Sequence, residues 1–215
     1  MARTLKLNMS GSDVEDVQKK LNCLGPTRLP RLSVDKSYGV LTMARVLEFQ
    51  HEKRIGVDGD CGPTTHRTLD GSPCPKIVAK PHGKCILVDL VGNRIHAFED
   101  GAEKMNISPV RGGSKEDPSH KGVFRVFKWR RHHTSSKFPE PPDNMEFALF
   151  YNGGEAIHSG PPDEDSHGCI HVDDPDVGKL FFWAGGKDDP KWKGGSADDT
   201  ANFSTTGDIR VIVVK

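Results

Sequence analysis

The chain has no excess of charge of either sign and no long apolar run. Thirty lysines and arginines balance 30 aspartates and glutamates, so the charge gives no reason to expect nucleic acid or an anionic membrane surface as a partner. No apolar run approaches the roughly 20 residues that a membrane-spanning helix needs. Glycine (23) and proline (15) are abundant among the 215 residues and only 34% are hydrophobic. This composition favours short strands and many loops over a helical bundle.

Two further absences concern location and metal. Residues 1–9 carry charges but no apolar core segment, so we predict no signal peptide. None of the five cysteines forms a C-x-x-C pair, which argues against structural zinc, and we expect neither a metal nor a cofactor. The odd number leaves at least one thiol unpaired, and the missing signal peptide favours reduced thiols. The cysteines are Cys23, Cys61, Cys74, Cys85 and Cys169.

The first seventy residues have helical periodicity. Ser12 and Glu15 form a capping box, with Ser12 as the N-cap, and apolar residues then recur at helical spacing as far as Leu24. A second helix is predicted from about residue 42 to 51, and a third ends near Leu69. We therefore predict a small three-helix domain over residues 1–72.

An Asp–Gly–Thr pattern occurs twice in this domain, in residues 35–42 and 58–65. Each copy has the residues of a turn followed by a helix cap. Together with residues 11–14 and 49–50, this order resembles the peptidoglycan-binding domain of the three-helix type, over about residues 3–70. The resemblance implies a cell-wall targeting module and peptidoglycan as the partner. The alternative is a helical bundle that acts only as a spacer.

Beyond a linker at residues 73–82 the sequence period changes to that of strands. Residues 122–129 alternate between apolar and polar, and residues 209–214 form a last strand. One helix is predicted here, with Asp174 as its N-cap and Pro175 at its first position. The segment 130–144 has no periodicity and is predicted to be a surface loop, with a flap near the site as one reading. We predict an α+β protein in which residues 83–215 form a mainly β domain.

One cysteine of this second domain lies among three histidines. His158 ends a predicted strand, and His167 and His171 each lie two residues from Cys169. A thiolate is the nucleophilic form of cysteine, and a nearby imidazole is the usual means of generating it. His158 is the preferred base because its position does not depend on the turn at Gly168. Cys169 is therefore predicted to be a catalytic nucleophile, against the alternative of a buried structural thiol.

The pattern Ile157-His158-Ser159 followed by Ser166-His167-Gly168-Cys169-Ile170 resembles the L,D-transpeptidase catalytic domain, the YkuD family. The resemblance extends over about residues 83–215 and implies a β-sandwich that acts on peptidoglycan. It implies a thioester with a stem tetrapeptide, release of D-alanine and transfer of the acyl group to an amine. It also implies these roles: Cys169 as nucleophile, His158 as base, the Ser159 backbone orienting that base, His167 assisting near the carbonyl, the Gly168 and Cys169 amides in the oxyanion hole, and Ser166 and His171 contacting substrate.

Three departures from the family pattern stand out. His171 occupies a position where the family usually has Arg or Asn, and Ser119-His120 replaces Thr-Pro. The loop between His158 and Ser166 is short and acidic. We expect the nucleophile and the base to be unaffected, and His171 to alter a substrate contact.

Other functions remain open at this stage. The thioester could pass to water, which would make the protein a carboxypeptidase, an endopeptidase or a phage-type lysin. A zinc peptidase is suggested by His158 and Asp165, seven residues apart, and a non-catalytic wall-binding protein is a further alternative. We expect action at the bacterial cell wall, by a truncated secreted enzyme or by a protein that a phage delivers.

Overall fold

The computed structural model describes residues 3–25, 27–142, 144–187 and 208–215. Within them lie four helices: α1 (Ser12–Leu24), α2 (Val40–Glu52), α3 (Pro63–Asp70) and α4 (Asp174–Trp183). The first strands along the chain are β1 (Lys84–Asp89), β2 (Arg94–Glu99), β3 (Ala102–Ile107), β4 (Val110–Arg111) and β5 (Gly122–Arg125). They are followed by β6 (Lys128–Arg130), β7 (Ala148–Asn152), β8 (Glu155–Ser159), β9 (Ile170–Val172) and β10 (Ile209–Val214).

The strands form two five-stranded sheets. The first has the order β3-β2-β1-β10-β5 and the second the order β4-β9-β8-β7-β6. Apolar side chains of both sheets meet in one core, with Ile86 and Val211 from the first sheet and Ile157 and Ile170 from the second. The predicted α+β fold, with a three-helix N-terminal domain before a β-sandwich, is confirmed. The residue limits of the predicted domains and linker stay a prediction.

The helical domain packs directly on the outer face of the first sheet. Strand β1 is buried on both faces: Ile86 and Val88 belong to the core of the sandwich, whereas Cys85 and Leu87 belong to a second core shared with the three helices. Strand β10 divides in the same way, since its side chains alternate between the two faces. The helices therefore cover an apolar sheet face that would otherwise meet water.

A buried carboxylate links the two domains. Glu48 of α2 is 1% exposed and accepts hydrogen bonds from Arg45 of its own helix at 2.9 Å and from Arg210 of β10 at 2.6 Å. The Thr27 hydroxyl also donates to it. Arg210 reaches a second carboxylate, the half-exposed Glu52, at 3.2 Å. The interface is therefore held by charge pairs as well as by apolar contact.

The beginnings of α1 and α4 differ from the prediction. Ser12 lies inside α1, Gly11 is its N-cap, and no side chain caps the helix. Asp13 instead binds the Arg3 guanidinium at 2.6 Å, so an ion pair near the helix start takes the place of the capping box. In α4 the N-cap is Asp173, one residue earlier than predicted.

Cys23 and Cys74 form a disulfide, although the missing signal peptide favours reduced thiols and the sequence alone does not decide the question. The bond joins the end of α1 to the segment after α3 and closes a loop with a sequence separation of 51. Spacing alone could not pair these cysteines, because their approach depends on how the three helices pack.

Replacing both bonded cysteines by serine is expected to lower the free energy of unfolding by about 2–4 kcal/mol, because the open chain regains the entropy that the closed loop removes. Urea unfolding of the double variant beside the wild-type protein measures the loss. Adding a reductant to the wild-type protein should reproduce it. Equal midpoints for the double variant and the oxidised protein would contradict the expectation.

Candidate active site

The site is built on β8 and β9, which pair in parallel with Ile157 opposite Ile170 and His158 opposite His171. Paired residues of neighbouring strands share a face, and successive residues alternate between faces. Ile157 and Ile170 point into the core of the sandwich. His158 and His171 therefore lie on the opposite face. Ala156 and Cys169 pack on that same side with Met145, Ala148 and Phe150.

The Cys169 thiol is half buried and its sulfur lies 3.8 Å from the Gly154 carbonyl oxygen. Burial raises the pKa of the Cys169 thiol, and the negative charge of Glu155 adds to that rise. A hydrogen bond from the Ala156 backbone N–H acts in the opposite direction and favours the thiolate. Burial is the largest of these effects, so the free protein holds a neutral thiol at neutral pH.

His158 is 5% exposed and its tautomer is set by a backbone contact. Its Nδ1 lies 2.6 Å from the Ser159 carbonyl oxygen, and because a carbonyl only accepts, Nδ1 carries the hydrogen. Nε2 is then the unprotonated, basic nitrogen. Burial, and next the neighbouring His171, lower the pKa of His158 to about 4. The imidazole is therefore neutral and able to accept a proton.

Ser159 is itself held in place from two sides. Its backbone N–H donates to the Glu146 carbonyl oxygen at 2.9 Å, and its hydroxyl donates to the Asp174 carboxylate at the start of α4. The predicted orienting residue thus has its own supports, which a local sequence pattern did not indicate. In the sequence Asp174 suggests only a helix cap.

The Cys169 thiol and the His158 imidazole are both neutral in the free protein. We therefore expect the rate of Cys169 alkylation by iodoacetamide to be low at pH 7 and to rise steadily through pH 9. A preformed thiolate–imidazolium pair would instead give a rate that is already high near pH 5. Rates from intact-mass spectrometry across this range check the expectation. The other free thiols do not interfere, since burial raises the pKa of Cys61 to about 12 and that of Cys85 further.

The turn before the cysteine brings two backbone segments into close contact. Gly168 has φ of +107°, a conformation that glycine adopts without strain. A Cβ on Gly113 would lie 2.8 Å from the Gly168 Cα, so both positions need glycine. The turn is thereby packed against the segment that begins at Gly112.

Hydrogen bonds within this turn engage two groups that have predicted roles. The Gly168 N–H donates to Ser166 Oγ at 3.1 Å. Ser166 is 3% exposed and its hydroxyl donates to the Cys169 carbonyl oxygen, so it shapes the turn. The oxyanion roles of the Gly168 and Cys169 amides and the substrate contact of Ser166 stay predictions.

His167 lies apart from the other two histidines. Its side chain is exposed and its ring packs on Phe138, with centroids 4.2 Å apart. Phe138 belongs to the aperiodic segment 130–144, so this segment reaches the rim of the site. An assisting role for His167 stays a prediction.

The sequence did not indicate Glu155 as part of the site. Its carboxylate accepts the His120 backbone N–H at 3.3 Å and pairs with the His120 imidazole, and the Asn152 amide donates to it at 3.3 Å. It also lies beside Gly168, 3.5 Å from where a Cβ of that residue would be. The only feature of the sequence that indicates Glu155 is its position directly after Gly153-Gly154, and such a position is too common to identify a site residue.

One of the two residues that suggest a zinc peptidase is engaged elsewhere, since Asp165 binds Arg111 at 2.6 Å. Across the part of the chain that the structure describes, no group of three or more histidine, cysteine, aspartate or glutamate side chains is placed to hold a metal ion. Nor does any helix in those same ranges have the length and apolar character to cross a membrane.

Two parts of the chain match known domain families. Residues 83–212 match the L,D-transpeptidase catalytic domain, YkuD, and the chain therefore belongs to that family. Residues 10–69 match a peptidoglycan binding domain. The chain thus combines a wall-binding type of domain with a transpeptidase type of domain.

Individual relatives are more distant. A probable N-acetylmuramoyl-L-alanine amidase of Bacillus licheniformis is 38% identical over 68 residues, 32% of this chain. The chain spans about a fifth of the length of that amidase, with 19% covered. The L,D-transpeptidase of Xylanimonas cellulosilytica is 25% identical with a TM-score of 0.44, covering 100% of this chain and 98% of the other. That of Stackebrandtia nassauensis is 20% identical with a TM-score of 0.48, covering 98% and 95%.

Proposed function

We propose that the protein is a peptidoglycan L,D-transpeptidase that works through a thioester on Cys169. The observation that carries the proposal is the tautomer and position of His158. Its Nδ1–H is bonded to the Ser159 carbonyl, and its ring lies on the same sheet face as Cys169. This leaves Nε2 as a base on the side of the thiol. Membership of the transpeptidase family supports the choice of reaction.

In the acylation step, Nε2 of His158 takes the thiol proton as the sulfur attacks the carbonyl of the stem tetrapeptide's third residue. The C–S bond forms and the C–N bond to D-alanine breaks, with the leaving amine taking the proton back from His158. The Ser159 carbonyl stabilises the transient imidazolium, because it accepts the Nδ1–H. The Cys169 amide is the proposed donor to the oxyanion.

An amine of a neighbouring stem then attacks the thioester carbonyl, so that a C–N bond forms, the C–S bond breaks and the Cys169 thiol is regenerated. Water is the competing acceptor and would give a carboxypeptidase in place of a cross-linking enzyme. The peptidoglycan binding domain supports the wall as the place of action. The Cys23–Cys74 disulfide supports an oxidising compartment outside the cytoplasm.

Mass spectrometry of the protein with a carbapenem and with a disaccharide-tetrapeptide tests the proposal. The expected result is a covalent adduct on Cys169 with the first compound and release of D-alanine with the second. Cross-linked dimers identify transfer, and free tripeptide identifies hydrolysis. The absence of any adduct with both compounds would overturn the thioester mechanism.

A further inference from the structure

The proposed acylation leaves one imidazole of the site without a task. His171 pairs with His158 across the two parallel strands, and the two rings meet edge to face with centroids 5.1 Å apart. Both lie on the sheet face that carries the Cys169 thiol. Two imidazoles therefore lie on the same sheet face as the Cys169 thiol, although removing one proton from this thiol requires only one of them.

The two rings are held in the same manner. Nδ1 of His171 lies 3.2 Å from the Pro161 carbonyl oxygen, which only accepts, so this nitrogen carries the hydrogen and Nε2 is basic. The ring is packed against Gly160, where an added Cβ would lie 2.8 Å from Cδ2. Burial lowers the pKa of His171, whereas hydrogen bonds to the Pro161 and Glu164 backbone and the negative charge of Glu164 partly offset the effect. The nearby His167 adds to the lowering. His171 is thus a fixed, neutral base.

The pocket next to the carbonyls that hold the two histidine rings suits a positively charged group. The carbonyls that hold both rings belong to the segment 159–161, and that segment also lines an open pocket of about 520 Å³. Asp173, Asp174 and Asp176 also line the pocket, and Lys179 pairs with Asp176 at 2.9 Å. The pocket carries no proposal alone, but its charge favours the approach of an ammonium group over that of an anion.

We propose that His171 is a second catalytic base, dedicated to the amine that accepts the acyl group. The inference rests on the proposed thioester function. An acceptor amine is an ammonium at neutral pH and must lose a proton before its nitrogen can attack. His171 Nε2 takes this proton and passes it to solvent.

The remaining steps balance with His158. The amine nitrogen forms the new C–N bond and the C–S bond breaks, so that the sulfur leaves as a thiolate. The amine's second proton passes through His158 to this thiolate and regenerates the thiol. One ammonium and one thioester give one amide, one thiol and one released proton, and no other reactant is needed.

The test separates acylation from transfer in the His171→Asn variant. Two acceptors are compared after loading with the disaccharide-tetrapeptide: a second stem peptide, whose side-chain amine is protonated at neutral pH, and hydroxylamine, which is not. Transfer to the peptide amine is expected to fall about 100-fold, the lower end of the range for loss of a general base. Acylation by a carbapenem and transfer to hydroxylamine should each fall at least about tenfold less, because neither uses this proton acceptor and both feel only the change beside His158.

The His96→Asn variant is the matched control, since His96 lies on β2 and pairs with Glu103 away from the site. It should behave as wild type in every assay. Equal losses of acylation and transfer in both His171→Asn and His171→Gln would show that His171 only supports His158 or the fold, and would overturn the inference. Unchanged transfer to the peptide amine would also overturn it. Failure of the wild-type protein itself to form a thioester would reject the underlying function instead.

Discussion

Replacing Cys169 by alanine is expected to abolish both the covalent adduct with a carbapenem and the release of D-alanine from a stem tetrapeptide. Loss of a nucleophile that acts together with its base typically costs a factor of about 10⁴ or more in turnover. No other free thiol lies at the site, because Cys61 and Cys85 are buried in the core that the helices share with the first sheet. Intact-mass spectrometry and a D-alanine assay measure the two losses.

Cys61→Ala is the matched control for this experiment. Cys61 is a free thiol buried in the core of the helical domain, so its loss should leave the adduct and the turnover in place. Binding of the protein to intact wall material should survive in Cys169→Ala, because the helical domain is unchanged. An adduct of unchanged mass and yield on Cys169→Ala would place the nucleophile elsewhere and contradict the site.

The second large effect concerns stability. Changing Glu48 to glutamine is expected to lower the free energy of unfolding by about 3–5 kcal/mol, because it removes the charge that compensates the buried Arg45 and the half-buried Arg210. Arg45 has no alternative anion within hydrogen-bond distance among the residues that the structure describes, and its Nε is already without a partner there. Thermal and urea unfolding measure the effect.

Glu52→Gln provides the comparison within the same network. Glu52 contacts Arg210 but is 41% exposed, and exposed pairs contribute at most about 1 kcal/mol. A large loss of unfolding free energy in Glu48→Gln and a small loss in Glu52→Gln would identify the buried carboxylate as the link between the domains. Equal, small losses would show that the apolar contact alone holds the interface.

The sequence was most informative where function and local pattern coincide. Residue type and spacing predict Cys169 as nucleophile and His158 as base, and the structure places both on one sheet face. Strand periodicity predicts a mainly β domain, whereas the family resemblance implies the sandwich. A local pattern can do this because the side-chain alternation of a strand does not depend on distant residues.

Contacts between separate elements could not be predicted from a local pattern. Asp174 of α4 supports Ser159 of β8, and the Cys23–Cys74 bond depends on how the helices pack. The capping box predicted at Ser12 is wrong at the local level, since Gly11 is the N-cap of α1 and no side chain caps the helix. The substrate contact predicted for Ser166 stays a prediction, and its hydroxyl bonds within its own turn.

The double-sided burial of β1 and β10 has a consequence for how the protein is assembled from parts. In sequence the chain resembles two interchangeable modules joined by a short connector. In the fold, removing the helices would bare Leu87, Phe98, Ile212 and Val214 on one sheet face, and a foreign module would have to match that face. We therefore expect the two domains to melt together in a single transition, and we expect recombination at the connector to yield a folded protein only when both partners of the interface are exchanged together.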